Sequence, residues 1–94
     1  MEVEFTSQVF REGRLYVAYA PELDVSSCGG SPVKAKKNLL EAVRLFLEEA
    51  EKMGTLDGIL QESGYVQRKS RLAAPKLVSL TRASVPLPLA HAKS

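Results

Sequence analysis

The chain has 94 residues, 45% hydrophobic and 26% charged, an ordinary globular composition that argues for one domain and against wholesale disorder. No apolar run approaches the roughly 20 residues that span a bilayer, and the lone Cys28 gives neither a disulfide framework nor a metal cluster. The net charge of +2 hides a division: residues 1–65 hold 7 Lys/Arg against 11 Asp/Glu, net −4, while residues 66–94 hold Arg68, Lys69, Arg71, Lys76, Arg82 and Lys93 and no acid.

Val3, Phe5 and Val9 share one parity, with Glu4, Thr6 and Gln8 on the other. That alternation predicts a half-buried first strand with Ser7 as its weak point. Glu12-Gly13-Arg14 is the turn, and Leu15 to Ala20 is the second strand. A three-residue loop sets Arg11 opposite Leu15, Val9 opposite Val17 and Ser7 opposite Tyr19, gathering Phe5, Val9, Leu15, Val17 and Tyr19 on one face. A two-residue loop pairing Val9 with Tyr16 scatters that set, so the three-residue loop is expected. Phe10, Tyr16 and Ala18 then lie on the opposite face. Pro21-Glu22-Leu23-Asp24 reads as a sharp connection, because proline cannot continue a central strand. Asp24 to Gly29 reads as a short third strand closing an antiparallel meander.

The stretch Ser31 to Gly54 organises the chain. Ser31 offers an N-cap oxygen, and Pro32 fits the first helical position, where its missing N–H is no loss. Ala35, Leu39, Val43, Phe46, Ala50 and Met53 recur every three or four residues and draw one apolar stripe, widened by Leu40 and Leu47. Glu48 and Lys52 form an i,i+4 pair. Gly54 suits the left-handed conformation that ends helices. The preceding Gly29-Gly30-Ser31-Pro32 lacks the frame of a phosphate-binding loop and reads as a strand-to-helix joint.

Beyond Gly54, Thr55 caps a short second helix running through Ser63, with Leu56, Ile59 and Leu60 on its apolar side and Gly64 at its end. Tyr65 and Val66 follow as anchors. Residues 67–75 are polar and basic and read as a loop. Lys76 to Val85 alternates in the manner of a fourth strand, which Pro86 and Pro88 stop, and His91 to Ser94 is expected to fray. The fold class is therefore α+β, with strand order βββαβ. Residues 1–66 form the core; residues 67–94 hold the basic loop, the fourth strand and the tail.

The run Tyr16-Val-Ala-Tyr-Ala-Pro-Glu-Leu-Asp-Val25, the Gly-rich joint after it, and Ala35, Asn38-Leu39, Glu41-Ala42, Leu45 and Leu47-Glu48 beyond resemble the HicB-like antitoxin family. The resemblance covers about Val3 to Leu47. It implies a truncated ribonuclease H-like sheet, ordered 3-2-1-4, with the long helix on one face. It also implies a role in a type II toxin–antitoxin system: binding and inactivating a HicA-like, mRNA-cleaving ribonuclease. Many such antitoxins carry a further DNA-binding domain. The residues after Gly64 contain no second helical period, and no such domain is recognised here.

A ribonuclease H-like sheet raises the question of nuclease chemistry, which needs several carboxylates converging on metal ions. Glu4 and Asp24 find no third acid on the expected register, and Glu41, Glu48, Glu49 and Glu51 read as a solvated helix face. His91 has no companion at ligand spacing. The chain is thus expected to be a non-enzyme that needs no cofactor and no metal. Met1-Glu2-Val3-Glu4 lacks the basic-then-apolar start of a signal peptide, so a cytoplasmic location is expected.

Three sets of contact residues follow. Glu22 and Asp24 form an acidic corner suited to the basic surface of an RNA-binding toxin. Phe10, Tyr16, Ala18, Leu40 and Leu47 exceed what one helix can cover, and predict a homodimer or dimer of dimers. Arg68, Lys69, Arg71 and Lys76 are the candidate nucleic-acid contacts, the basis of an alternative reading as an orphan oligomeric or nucleic-acid-binding module.

Overall fold

A computed structural model describes residues 1–88; His91 and Lys93 lie outside the described residues. The chain order is β1 (Glu2–Val3), β2 (Gln8–Glu12), β3 (Leu15–Ala20), β4 (Val25–Gly29), α1 (Pro32–Met53), α2 (Leu56–Glu62), β5 (Val66–Arg68) and β6 (Arg71–Ala73). The six strands form two small sheets, β2-β3-β4 and β1-β6-β5, and the fold is α+β.

The expected helix forms with the expected ends. Ser31 is extended and its hydroxyl accepts the Lys34 N–H at 3.1 Å. Gly54 sits at φ 75°, and its N–H returns to the carbonyls of Ala50 and Glu51. Ala35, Leu39, Val43 and Ala50 are buried and Phe46 is half-buried, whereas Met53, at the end of the stripe, is 67% exposed. Glu48 pairs with Arg44 at 2.8 Å, and Arg44 also grips Glu41; the i,i+4 partner expected for Glu48 was Lys52.

The hairpin corrects the expected register. Glu12 lies opposite Leu15, Phe10 opposite Val17, Val9 opposite Ala18 and Gln8 opposite Tyr19. The loop has two residues, Gly13 and Arg14, with Gly13 at φ 65°. Glycine at the first central position suits the tight turn whose twist matches the flanking strands, and this decides the loop length. Because one residue of slip reverses every side chain, the core face is Tyr16, Ala18 and Ala20, and Leu15, Val17 and Tyr19 point away from the helix.

Small residues explain that choice. Ala18, Ala20 and Ala35 are fully buried, and a Cβ placed on Gly29 would lie 2.7 Å from the Ala35 nitrogen. The helix therefore rests almost backbone-to-backbone on β3 and β4. Asn38 adds a bond from its amide to the Cys28 carbonyl at 2.8 Å. Leu39, Val43, Leu23 and Leu60 fill the rest of the core, with Val3, Phe5, Val9 and Leu72 packed at its margin.

The first strand divides in two. Glu4 donates its N–H to the Leu72 carbonyl, while Thr6 donates to the Glu22 side chain, so Glu4–Ser7 leaves one sheet before the next begins. The strand beside β1 is β6, in parallel register with Glu2 opposite Arg71. Residues 67–75, expected as a loop, supply the β5–β6 hairpin around Lys69 and Ser70. Lys76 to Val85, expected as the fourth strand, forms no strand and is exposed. The pairing partner of β1 thus comes earlier than the alternation suggests, where Leu72 reaches the core margin.

Thr55 makes no side-chain cap for α2; its hydroxyl instead donates to the Ala50 carbonyl at 3.3 Å. Gly64 closes α2 at φ 81°, and the Tyr65 hydroxyl reaches back to the Glu4 carbonyl at 2.5 Å. Tyr65 is therefore the anchor that fastens the end of α2 to the start of the chain.

Candidate functional site

The Pro21–Asp24 corner is built differently from a free acidic patch. Both carboxylate oxygens of Glu22 accept the Thr6 N–H, at 3.0 and 3.1 Å, and one also accepts the Thr6 hydroxyl at 2.6 Å. Glu22 is half-buried and engaged in holding the Glu4–Ser7 segment to the corner. Asp24 is exposed, stands at φ 56°, and accepts the Tyr19 hydroxyl at 2.9 Å. That bond to the carboxylate, with some burial and the charge itself, holds the Tyr19 phenol above its ordinary pKa. Of the two acids singled out from the sequence, Asp24 therefore presents its charge to solvent, and Glu22 is committed to the fold.

Of the five apolar residues expected to be left over for an interface, Phe10, Tyr16 and Ala18 were expected on one sheet face, and the structure divides them. Ala18 is fully buried under α1, and Tyr16 is half-buried on that same inner face. Phe10 is 45% exposed on the outer face, opposite Val17, which in turn faces Cys28. Leu40 and Leu47 border a groove between α1 and the β1–β6 pair, together with Val3, Phe5, Leu56 and Leu72. The reversal of parity in β3 accounts for the split. What it leaves open is the outer face of β2-β3-β4, where Phe10, Leu15, Val17, Tyr19 and Cys28 line up with Asp24 at the rim. The sequence signal for this face was the parity of the alanines against that of Val17 and Tyr19.

Arg68, Lys69, Arg71 and Lys76 all border one cleft, of about 850 Å³, between the β5–β6 hairpin and Glu4–Thr6. The hairpin is what gathers them, since it folds Arg68 and Arg71 opposite each other. Glu4 crosses the cleft. One of its carboxylate oxygens lies 3.5 Å from Arg71, and the other accepts the Ala74 N–H at 3.2 Å. Glu4 and Glu22 also bear on Tyr65, whose phenol is pushed up to about 12, first by burial and then by those two negative charges.

Among the described residues no three His, Cys, Asp or Glu side chains gather as a metal site, and no helix is long and apolar enough to cross a membrane. Comparison with protein-family models, with curated proteins and with solved structures finds no match to this chain.

Proposed function

We propose that this protein is a cytoplasmic HicB-like antitoxin that neutralises a HicA-like ribonuclease by binding it directly, on a truncated ribonuclease H-like sheet. The observation that carries the reading is the position of the stretch behind the resemblance. Tyr16 to Val25 runs as β3, a turn and the first residue of β4, and α1 docks on its Ala18–Ala20 side. The resemblance implies that order of strand, corner, strand and helix.

The surface supports a binding role by its chemistry. Apolar side chains at the centre of an interface hold a complex, and charge at its rim speeds encounter. The outer sheet face has that arrangement, with Phe10, Leu15 and Val17 inside and Asp24 at the edge, on a body of net charge −4 over residues 1–65. A ribonuclease presents a basic groove to RNA, and such a groove complements this body. Neutralisation of this kind is stoichiometric and consumes nothing.

The test is co-expression with a small basic protein encoded beside this one. Rescue of growth and co-purification of the pair are expected. Failure of both removes the antitoxin reading.

A second reading has its own observation, the gathering of Arg68, Lys69, Arg71 and Lys76 around one cleft. As a nucleic-acid contact, these four cations give a log–log salt dependence of about −3 to −4 on duplex DNA. No aromatic side chain in residues 67–94 is present to stack on a base, which ranks this reading second. Absence of DNA or RNA binding at low salt removes it.

A further inference from the structure

The tip of the β5–β6 hairpin breaks a rule that paired strands otherwise keep. Arg68 lies directly opposite Arg71, and Lys69 stands in the two-residue turn between them. Like charges directly opposite each other destabilise the pair. Little in the protein relieves this. Glu4 stands 3.5 Å from Arg71, an exposed pair of the kind that contributes little. Among the described residues Arg68, Lys69 and Lys76 enter no ion pair. A local arrangement that costs stability with no return inside the fold is the mark of a functional site.

The cleft beside the hairpin has the size and the lining of a small-ligand site. Its volume of about 850 Å³ lies within the roughly 300–1,000 Å³ usual for such sites. Charge and apolar surface come from different stretches of chain. Arg68 to Arg71 brings two guanidinium groups, an ammonium group and the Ser70 hydroxyl, whereas Phe5, Pro75 and Leu77 are apolar. Phe5 is half-buried and packed against the core, so its position is fixed. Four cations and a single carboxylate line the cleft, a surplus that a multiply charged anion neutralises and one carboxylate does not. Arginine forks bind phosphate oxygens in pairs, which makes phosphate the fitting anion.

A ligand with one charged end and one flat, apolar end matches this lining, and a nucleotide is such a ligand. A continuous nucleic-acid strand fits less well. Its phosphates need an unbroken basic path, and the Glu4 carboxylate, held by Arg71 and by the Ala74 N–H, stands across that path. A ligand charged at one end only avoids that repulsion. Surfaces that bind strands stack successive bases on several aromatic rings. Among the described residues lining this cleft, Phe5 is the one aromatic, enough for one base.

We propose that the cleft between the β5–β6 hairpin and Glu4–Thr6 binds a nucleoside triphosphate, with its phosphates among Arg68, Lys69 and Arg71 and its base on Phe5. The bound phosphates neutralise the opposed arginines, so the ligand stabilises the hairpin and with it the chain. The proposal takes the cations of the nucleic-acid reading to a different ligand and involves no toxin, so it stands or falls apart from both readings above.

Isothermal titration of the full chain with ATP, in EDTA at physiological ionic strength, tests this, beside inorganic tripolyphosphate and a single-stranded oligoadenylate. ATP is expected to bind and to raise the temperature of thermal unfolding. R68A/K69A is expected to weaken ATP by about tenfold or more. The same variant should unfold at no lower temperature than the wild type, because it removes the opposed charges. Phe5→Leu keeps an apolar side chain against the core, and is expected to weaken ATP while leaving tripolyphosphate unchanged. Absence of ATP binding at millimolar concentration overturns the proposal, as does ATP affinity that R68A/K69A leaves intact. Tripolyphosphate that binds the wild type as tightly as ATP overturns it by leaving the base without a role, whatever Phe5→Leu does to the fold. Oligoadenylate that binds more tightly than ATP overturns it in favour of the nucleic-acid reading.

Discussion

The Glu22 carboxylate holds the Thr6 backbone N–H with both oxygens and the Thr6 hydroxyl with one, tying the corner before β4 to the gap between β1 and β2. Hydrogen bonds to a charged group contribute about 1.5–3 kcal/mol, so Glu22→Ala is expected to lose that much stability in urea unfolding. Glu22→Gln keeps one acceptor and loses less. The Thr6 amide should exchange hydrogen faster in both variants. Asp24→Asn, at an exposed position where asparagine accepts positive φ, is expected to change stability by less than about 0.5 kcal/mol. Equal costs at Glu22 and Asp24 would contradict the division of roles described here.

Gly29 and Gly30 adjoin in sequence and differ in tolerance. A Cβ on Gly29 meets the Ala35 nitrogen at 2.7 Å and the Lys34 carbonyl carbon at 2.9 Å, both backbone atoms that cannot swing aside. Gly29→Ala should therefore cost at least about 1–3 kcal/mol, the usual range for overpacking. Nothing lies within 4 Å of a Cβ on Gly30, and its φ is not positive. Gly30→Ala is expected to be neutral or to stabilise by up to about 1 kcal/mol through the unfolded state. Thermal unfolding of the two variants side by side decides it.

The elements whose signals are local were legible in the sequence. Ser31, Pro32 and Gly54 bracket α1 through chemistry within a few residues of each end, and the structure ends the helix there. The hairpin register was not legible: the two registers expected from the pattern set Val9 opposite Val17 or Tyr16, whereas Gly13 begins a two-residue loop that sets Val9 opposite Ala18. The core face was misassigned for a related reason. Larger apolar side chains were expected inside, but the close approach of α1 requires alanine at 18, 20 and 35 and glycine at 29. The β1–β6 pair joins residues some 70 positions apart through two or three residues each, too short to leave a periodic pattern. For the candidate site, Asp24 was visible as an exposed acid. The engagement of Glu22 depends on a partner 16 residues away and was not.

Leu39 and Leu40 are chemically alike and adjoin on α1, with Leu39 fully buried and Leu40 60% exposed. Leu39→Ala is expected to cost about 2–5 kcal/mol through lost burial and the cavity left behind. Leu40→Ala should cost well under half of that. A reversal of this order in denaturant titration would show that α1 is rotated on the sheet.

Tyr65 makes the fold sensitive to alkali. Its neutral hydroxyl donates to the Glu4 carbonyl, and its folded pKa is pushed up to about 12 by burial and by Glu22 and Glu4. The unfolded value is near 10, so the contribution is fully present below about pH 10 and is lost as pH rises toward 12. Tyr65→Phe removes this dependence and, at neutral pH, about 0.5–1.5 kcal/mol of stability with the hydrogen bond. Unfolding curves at pH 8, 10 and 11.5 should converge for the two proteins as pH rises. Parallel curves would place the alkaline transition elsewhere.

The claim that this protein neutralises a ribonuclease by covering it is tested most directly by titration. A fixed amount of the neighbouring small basic protein cleaves a fluorescent RNA, and purified chain is added in steps. The account predicts that cleavage falls linearly and stops at one chain per ribonuclease, without change in the chain itself. Cleavage that continues unchanged at several-fold excess of this protein would contradict it.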